Sequence, residues 1–193
     1  MPQQPAIALL EFASIAVGTR ASDALAKKAP VSILRAGSLQ PGKYAILFSG
    51  DVAAVEESYV EGSRVGESAI LDRVLLCDVH PQVYDAILGR RGDWQDDALG
   101  IIETASLAAI IQSADAAIKG ADVEIVQIRL GDGLGGKGLA HVSGLLADVE
   151  AAIEIATAAI ADKPQAPQTT VIPRFNKDVR ENLSRSTRFA EDR

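Results

Sequence analysis

Aromatic residues are scarce in this chain: four phenylalanines, three tyrosines and one tryptophan among 193 residues. Large rings anchor many adhesive surfaces, so recognition through aromatic hot spots is not what this composition favours. Ala, Val, Ile and Leu carry the apolar content instead, and small aliphatic side chains suit thin layers of helix on sheet. Cysteine is nearly missing. Cys77 stands alone, which excludes an intrachain disulfide and fits a reducing cytoplasm. With only His80 and His141 beside it, the chain falls short of the three or four convergent ligands that a zinc site needs. No metal is therefore expected. No apolar run approaches the ~20 residues of a membrane span. The opening Met1-Pro2-Gln3-Gln4-Pro5 lacks the basic start and apolar stretch of a secretory leader, so no membrane partner is expected. Positive charge is also in deficit: 19 Lys and Arg against 26 Asp and Glu give a net charge of −7. Only the last dozen residues are basic, which argues against nucleic acid as a partner.

What the chain does have is an internal repeat. Residues 8–41 align with 100–133, and 42–56 with 136–150, the second copy carrying two extra residues between the blocks. Identical pairs include Glu11/Glu103, Ser14/Ser106, Asp23/Asp115, Lys27/Lys119, Val31/Val123, Gly42/Gly136, Lys43/Lys137, Gly50/Gly144 and Glu56/Glu150. A period of this length is too long for a solenoid unit. It predicts two duplicated domains, near 5–90 and 97–183, joined by the polar bridge 89–97, with a polar tail over 184–193 that frays.

Each copy predicts the same order. In the first, a buried strand spans 6–10, a helix 19–28, a strand 31–35, a Gly-bearing loop 37–43 and a strand 44–49. A helix over 51–65 follows, with Asp51 as its N-cap, then a strand over 73–77 and a short helix opening at His80-Pro81. The second copy repeats these elements. The fold class is α/β of the α+β kind: two tandem β-α-β-β-α-β-α domains, each an antiparallel sheet with helices packed on it.

One stretch invites a nucleotide-binding reading. Gly131-Asp132-Gly133-Leu134-Gly135-Gly136-Lys137-Gly138 matches G-x-G-x-x-G and nearly matches a P-loop. Both motifs need a helix N-terminus next, to supply free N–H donors and a positive dipole. Leu139-Ala140-His141-Val142-Ser143 predicts a strand there, and the hydroxyl position of the P-loop is Gly138. The repeat counterpart, Ser38-Leu39-Gln40-Pro41-Gly42-Lys43, is no phosphate loop at all. Taken on their residues alone, Asp23/Lys27 and Asp115/Lys119 are i,i+4 helix pairs on a solvated face. Glu11 and Glu103 are expected to satisfy buried backbone N–H groups within their own copies, not to form a carboxylate dyad.

The joint pattern resembles a known family. Ile7-Ala8-Leu9-Leu10-Glu11 with Asp23-Ala24-Leu25-Ala26-Lys27, their second-copy partners, Pro41-Gly42-Lys43, Gly133-Leu134-Gly135-Gly136-Lys137 and Val171-Ile172-Pro173-Arg174 are similar to bacterial microcompartment shell domains. Over about residues 5–183 the chain resembles the tandem-domain, trimer-forming type, including the propanediol-utilisation protein with a Gly-Ile-Gly-Gly-Lys loop. The resemblance implies a structural protein without catalysis: a pseudo-hexameric homotrimer in the bacterial cytoplasm, tiling edge to edge with other shell proteins around encapsulated enzymes. It implies a central metabolite pore lined by Ser38, Leu39, Gln40, Pro41, Asp132, Gly133, Leu134 and Gly135. It places Lys27, Lys119, Asp78 and Arg174 at the tile edge. Those relatives hold an iron–sulfur cluster from a cysteine before Pro-Gly-Lys. Gln40 stands there in this chain, and an amide does not replace a thiolate, so no cofactor is expected. The rivals are a trimeric small-molecule sensor of ferredoxin-like type and a nucleotide-binding enzyme using residues 131–138.

Overall fold

The computed structural model describes residues 6–94, 97–131 and 133–185. The first domain runs β1 (Ala6–Phe12), α1 (Ile15–Lys28), β2 (Ser32–Leu39), β3 (Lys43–Gly50), α2 (Val52–Gly66), β4 (Ile70–Leu76) and α3 (Pro81–Ile87). The second repeats it as β5 (Ala98–Thr104), α4 (Leu107–Gly120), β6 (Val123–Leu130), β7 (Gly138–Gly144), α5 (Leu146–Ala159), β8 (Gln168–Pro173) and α6 (Lys177–Arg185). The sheets are antiparallel with matching orders, β2-β3-β1-β4 and β6-β7-β5-β8. Even the irregularities recur: β2 is bulged between Ile33 and Arg35, and β6 between Ile125 and Gln127.

Local chemistry sets the helix starts. Ser14 accepts from the Val17 N–H and Ser106 from the Ala109 N–H, so α1 and α4 begin earlier than apolar spacing alone predicts. Asp51 occupies the N-cap position of α2, but its carboxylate makes no capping bond, contrary to expectation. At the other end of the chain, α6 runs to Arg185, beyond the predicted start of the tail. Arg91 donates to the carbonyls of Leu183 and Ser184 and so supplies partners to the last turn. Residues 186–193 lie outside the described residues.

Alternation along each strand divides the core between two faces. One face of the first sheet carries Ala8, Leu10, Phe12, Ile46 and Phe48, which pack with Ala21, Leu25 and Val55 of α1 and α2. Its other face carries Ile7, Leu9, Leu47 and Val74, and these join the core of the second domain through Leu107, Ile110 and Ile111 of α4. Helix α4 therefore packs on both sheets, touching β1 and β4 as well as β6 and β7, while α3 lies on β6. The first domain is closed by its neighbour in the chain.

Candidate functional site

The loops that follow β2 and β6 leave the same end of their sheets and meet each other. Ser38 and Leu39 finish β2, and Gln40, Pro41 and Gly42 turn the chain into β3. Beyond β6, the Gly131 N–H donates to the Lys137 carbonyl and the Leu134 N–H to the Gly131 carbonyl, both at 3.0 Å, which closes a compact glycine turn. A Cβ on Gly131 would stand 2.8 Å from Leu39 Cδ1, and one on Gly136 would collide with the Gln40 carbonyl oxygen. Gly136 also has φ +82°, so both the space and the backbone demand glycine. Gln40, Pro41, Ser38, Gly133 and Gly135 are exposed, with Leu39 and Leu134 half-buried. Asp132 lies outside the described residues. The glycine turn leads into β7, so it does not open a helix as a phosphate loop does. Iron–sulfur ligation does not fit this set either. The loop offers an amide at Gln40, while Cys77 follows β4 at the far end of the sheet, 3.6 Å from Glu56. Desolvation, then the Glu56 carboxylate, hold that thiol above its ordinary value, against thiolate formation.

At the opposite end of the sheets Lys119 meets Asp78, and Arg174 lies at the matching place in the second domain. Ile7 pairs with Leu76 and Ala98 with Pro173, so Asp78 and Arg174 leave their sheets a full strand away from the loops that follow β2 and β6. Lys119 donates to the Asp115 carboxylate at 2.7 Å and to the Asp78 carbonyl, and the His80 N–H donates to Asp115 at 2.8 Å. Lys119 thus bridges the two domains inside the chain. Among the described residues Lys27 reaches only Asp23 in its own helix, at 2.7 Å, and both side chains are exposed. His80 caps α3 through Nδ1.

Glu11 departs from expectation. It is fully buried and accepts from Lys43 at 2.8 Å, but its other oxygen takes the Leu107 N–H at 2.9 Å, across the domain junction. The carboxylate caps the next domain's helix and does not serve its own copy alone. Burial raises its carboxyl above the usual range, while Lys43 and the Leu107 N–H oppose the rise. Beside it, Asp72 binds Lys163 at 2.7 Å and accepts from the Ser106 hydroxyl, and the Ile125 N–H donates to Gln82 of α3 at 2.9 Å. Glu103 also departs, because among the described residues it pairs only with Lys137, at 2.7 Å, and both remain substantially exposed. His141 is buried with Nδ1 unpartnered. Burial, then Arg91 and Arg129, push its imidazole down to about 4. Among the described residues, no three His, Cys, Asp or Glu side chains converge as metal ligands.

Comparison with known proteins accounts for the duplication. The BMC domain model matches residues 6–78 and again 98–175. The chain is 36% identical over 174 residues to the bacterial microcompartment shell protein PduT of Citrobacter freundii, covering 90% of this chain and 95% of that one. One domain's length, 46% of the chain, is 37% identical to the shell protein PduA of the same organism and covers 94% of it. Among solved structures, a microcompartments protein from Desulfitobacterium hafniense superposes with a TM-score of 0.80 at 38% identity, covering 92% of this chain and 98% of that one. A fused permuted hexameric shell protein shares the fold, with a TM-score of 0.60 at 23% identity over 84% of each chain. Both domains and nearly the whole length agree: the chain belongs to the BMC-domain family of bacterial microcompartment shell proteins.

Proposed function

We propose that three chains close into a ring of six BMC domains, in which the junction between the two domains of one chain is repeated between chains. One observation carries this reading. Three apolar residues that seal the in-chain junction have counterparts in the other copy that stand nearly half exposed. Leu107 is 4% exposed and its counterpart Ile15 46%; Ile125 is 1% and Ile33 42%; Val83 is 0% and Val179 48%. Polar partners repeat as well. Glu103 stands where Glu11 receives the Leu107 N–H, ready for the Ile15 N–H of the next chain. Asp178 stands for Gln82, facing the Ile33 N–H. Asp23 stands for Asp115, facing the Asn176 N–H, and Lys27 stands for Lys119, facing the Arg174 carbonyl. A surface complementary to a different patch of the same molecule closes a ring or grows a filament. Six domains supplied two at a time close with three chains. Light scattering should give about 61 kDa (3 × 20.2 kDa). A stable particle of one or two chains would refute it.

In that ring the loops at 38–41 and 132–135 alternate around the axis as a metabolite pore, three Gln40 amides replacing the thiolates of cluster-bearing relatives. The far ends, with Lys27, Lys119, Asp78 and Arg174, form the perimeter that meets other shell proteins edge to edge. The wall then encloses enzymes within the bacterial cytoplasm and has no catalysis of its own.

A further inference from the structure

Beside the pore loops, the two domains of one chain leave a cleft of about 270 Å³. Its floor is the face of the first sheet turned toward α4, where Leu9 stands opposite Leu47 and Gly37 opposite Ala45. Leu107 and Leu130 of the second domain wall it on the other side, and Arg35 stands at its edge. The cleft exists because the cross-strand pair is small: a Cβ on Gly37 would meet nothing within 4 Å. In the second copy the matching pair is Arg129 opposite Leu139, with His141 in place of Leu47 and Gln127 in place of Arg35. The duplicated fold thus carries bulk at one position and space at the other, so the space is not a requirement of the fold. Arg35 makes no ion pair or hydrogen bond among the described residues.

We infer that this cleft binds a short aliphatic carboxylate. Leucine walls favour a hydrocarbon tail, and a free guanidinium presents the planar fork that fits a carboxylate with two parallel N–H bonds. The volume falls just below the ~300–1,000 Å³ usual for ligand pockets, which limits the guest to about three to five carbons. Ser38 and Leu39 line both the cleft and the pore loop, so occupancy bears on the loop's position. The site is complete within one chain and does not depend on ring closure. Helix α6 of a neighbouring chain, docked as α3 docks on β6, would contact β2 near Ile33. Gly37 is four residues further along, roughly 13 Å of strand, and stays open.

The test is methyl NMR on the full chain with sodium butyrate, butan-1-ol and inorganic phosphate as separate titrants. Butyrate should shift the methyls of Leu9, Leu47, Leu107 and Leu130 with a millimolar Kd. Butanol, with the same tail and no charge, should bind about tenfold more weakly, and phosphate should leave these methyls unmoved. Arg35→Gln, which installs the residue of the second copy, should reduce butyrate to the level of butanol. Gly37→Leu should abolish binding of both at an unchanged melting temperature, and Ala45→Leu provides the same block should Gly37→Leu fail to fold. The inference is overturned if butyrate causes no shift at about 50 mM, if butanol or phosphate matches it, or if Arg35→Gln leaves its affinity intact.

Discussion

Replacing Val179 by Asp should split the particle into folded monomers. In the single chain Val179 is 48% exposed, and α6 buries none of its residues, so the substitution costs the isolated fold almost nothing. Its counterpart Val83 is 0% exposed against β6. Docking α6 on β2 of the next chain in the same way would bury the remaining half of the valine side chain. At 1.5–3 kcal/mol for full burial, that half is worth about 1 kcal/mol. An aspartate there loses this and must also leave water without a partner, a further ~3 kcal/mol even after relaxation. About 4 kcal/mol per junction is roughly a thousandfold in its equilibrium constant. Light scattering at micromolar protein should then report 20.2 kDa in place of about three times that mass, with an unchanged circular dichroism spectrum. Val60→Asp is the control. Val60 is more exposed, at 64%, but its repeat counterpart Glu154 is exposed too, so it belongs to no junction. A Val179→Asp variant that keeps the large particle, or a Val60→Asp variant that loses it equally, would refute the repeated-junction argument.

His141 should give the protein an acid limb. Above pH 6.5 both folded and unfolded chains hold it neutral. Between 6.5 and about 4 the unfolded chain takes up a proton that the folded one refuses, so stability falls with pH. The drop totals about 3 kcal/mol. His141→Leu, which carries the side chain of its counterpart Leu47, should flatten that limb in thermal melts from pH 7 to 4; equal slopes would dismiss the assignment. Lys27→Ala combined with Lys119→Ala removes one hydrogen bond from each junction and leaves Ile15, Ile33 and Val179 in place, so it should suppress sheets and shells in electron micrographs while the trimer mass persists; sheets at wild-type yield would remove these lysines from the edge. The purified protein should be colourless and free of iron. Gln40→Cys should take up iron and sulfide on reconstitution with a visible charge-transfer band, whereas stoichiometric iron in the unaltered protein would overturn the reading of the pore.

Much was legible in the sequence because it is local or duplicated. The Asp/Lys spacing in α1 and α4 and the apolar runs of β1 and β5 act within a few residues of themselves. Appearing twice, they marked two domains and their element order. The family resemblance rested on the same short stretches. What they left open lies far apart in the chain. Glu11 and the N–H of Leu107 are 96 residues apart. No periodicity announces that a carboxylate of one copy caps a helix of the other, and the expectation that it served its own copy failed for that reason. The void at Gly37 was equally silent, because a missing side chain makes space only where Leu107 and Leu130 come to wall it. Ile15 and Leu107, or Val179 and Val83, are near-equivalent residues at equivalent positions, so the sequence determined that each could seal a domain junction. Only the tertiary structure decided which of each pair is sealed. A chain has one internal junction and two ends, so connectivity supplies a neighbour to Leu107 and Val83 and leaves Ile15 and Val179 facing water.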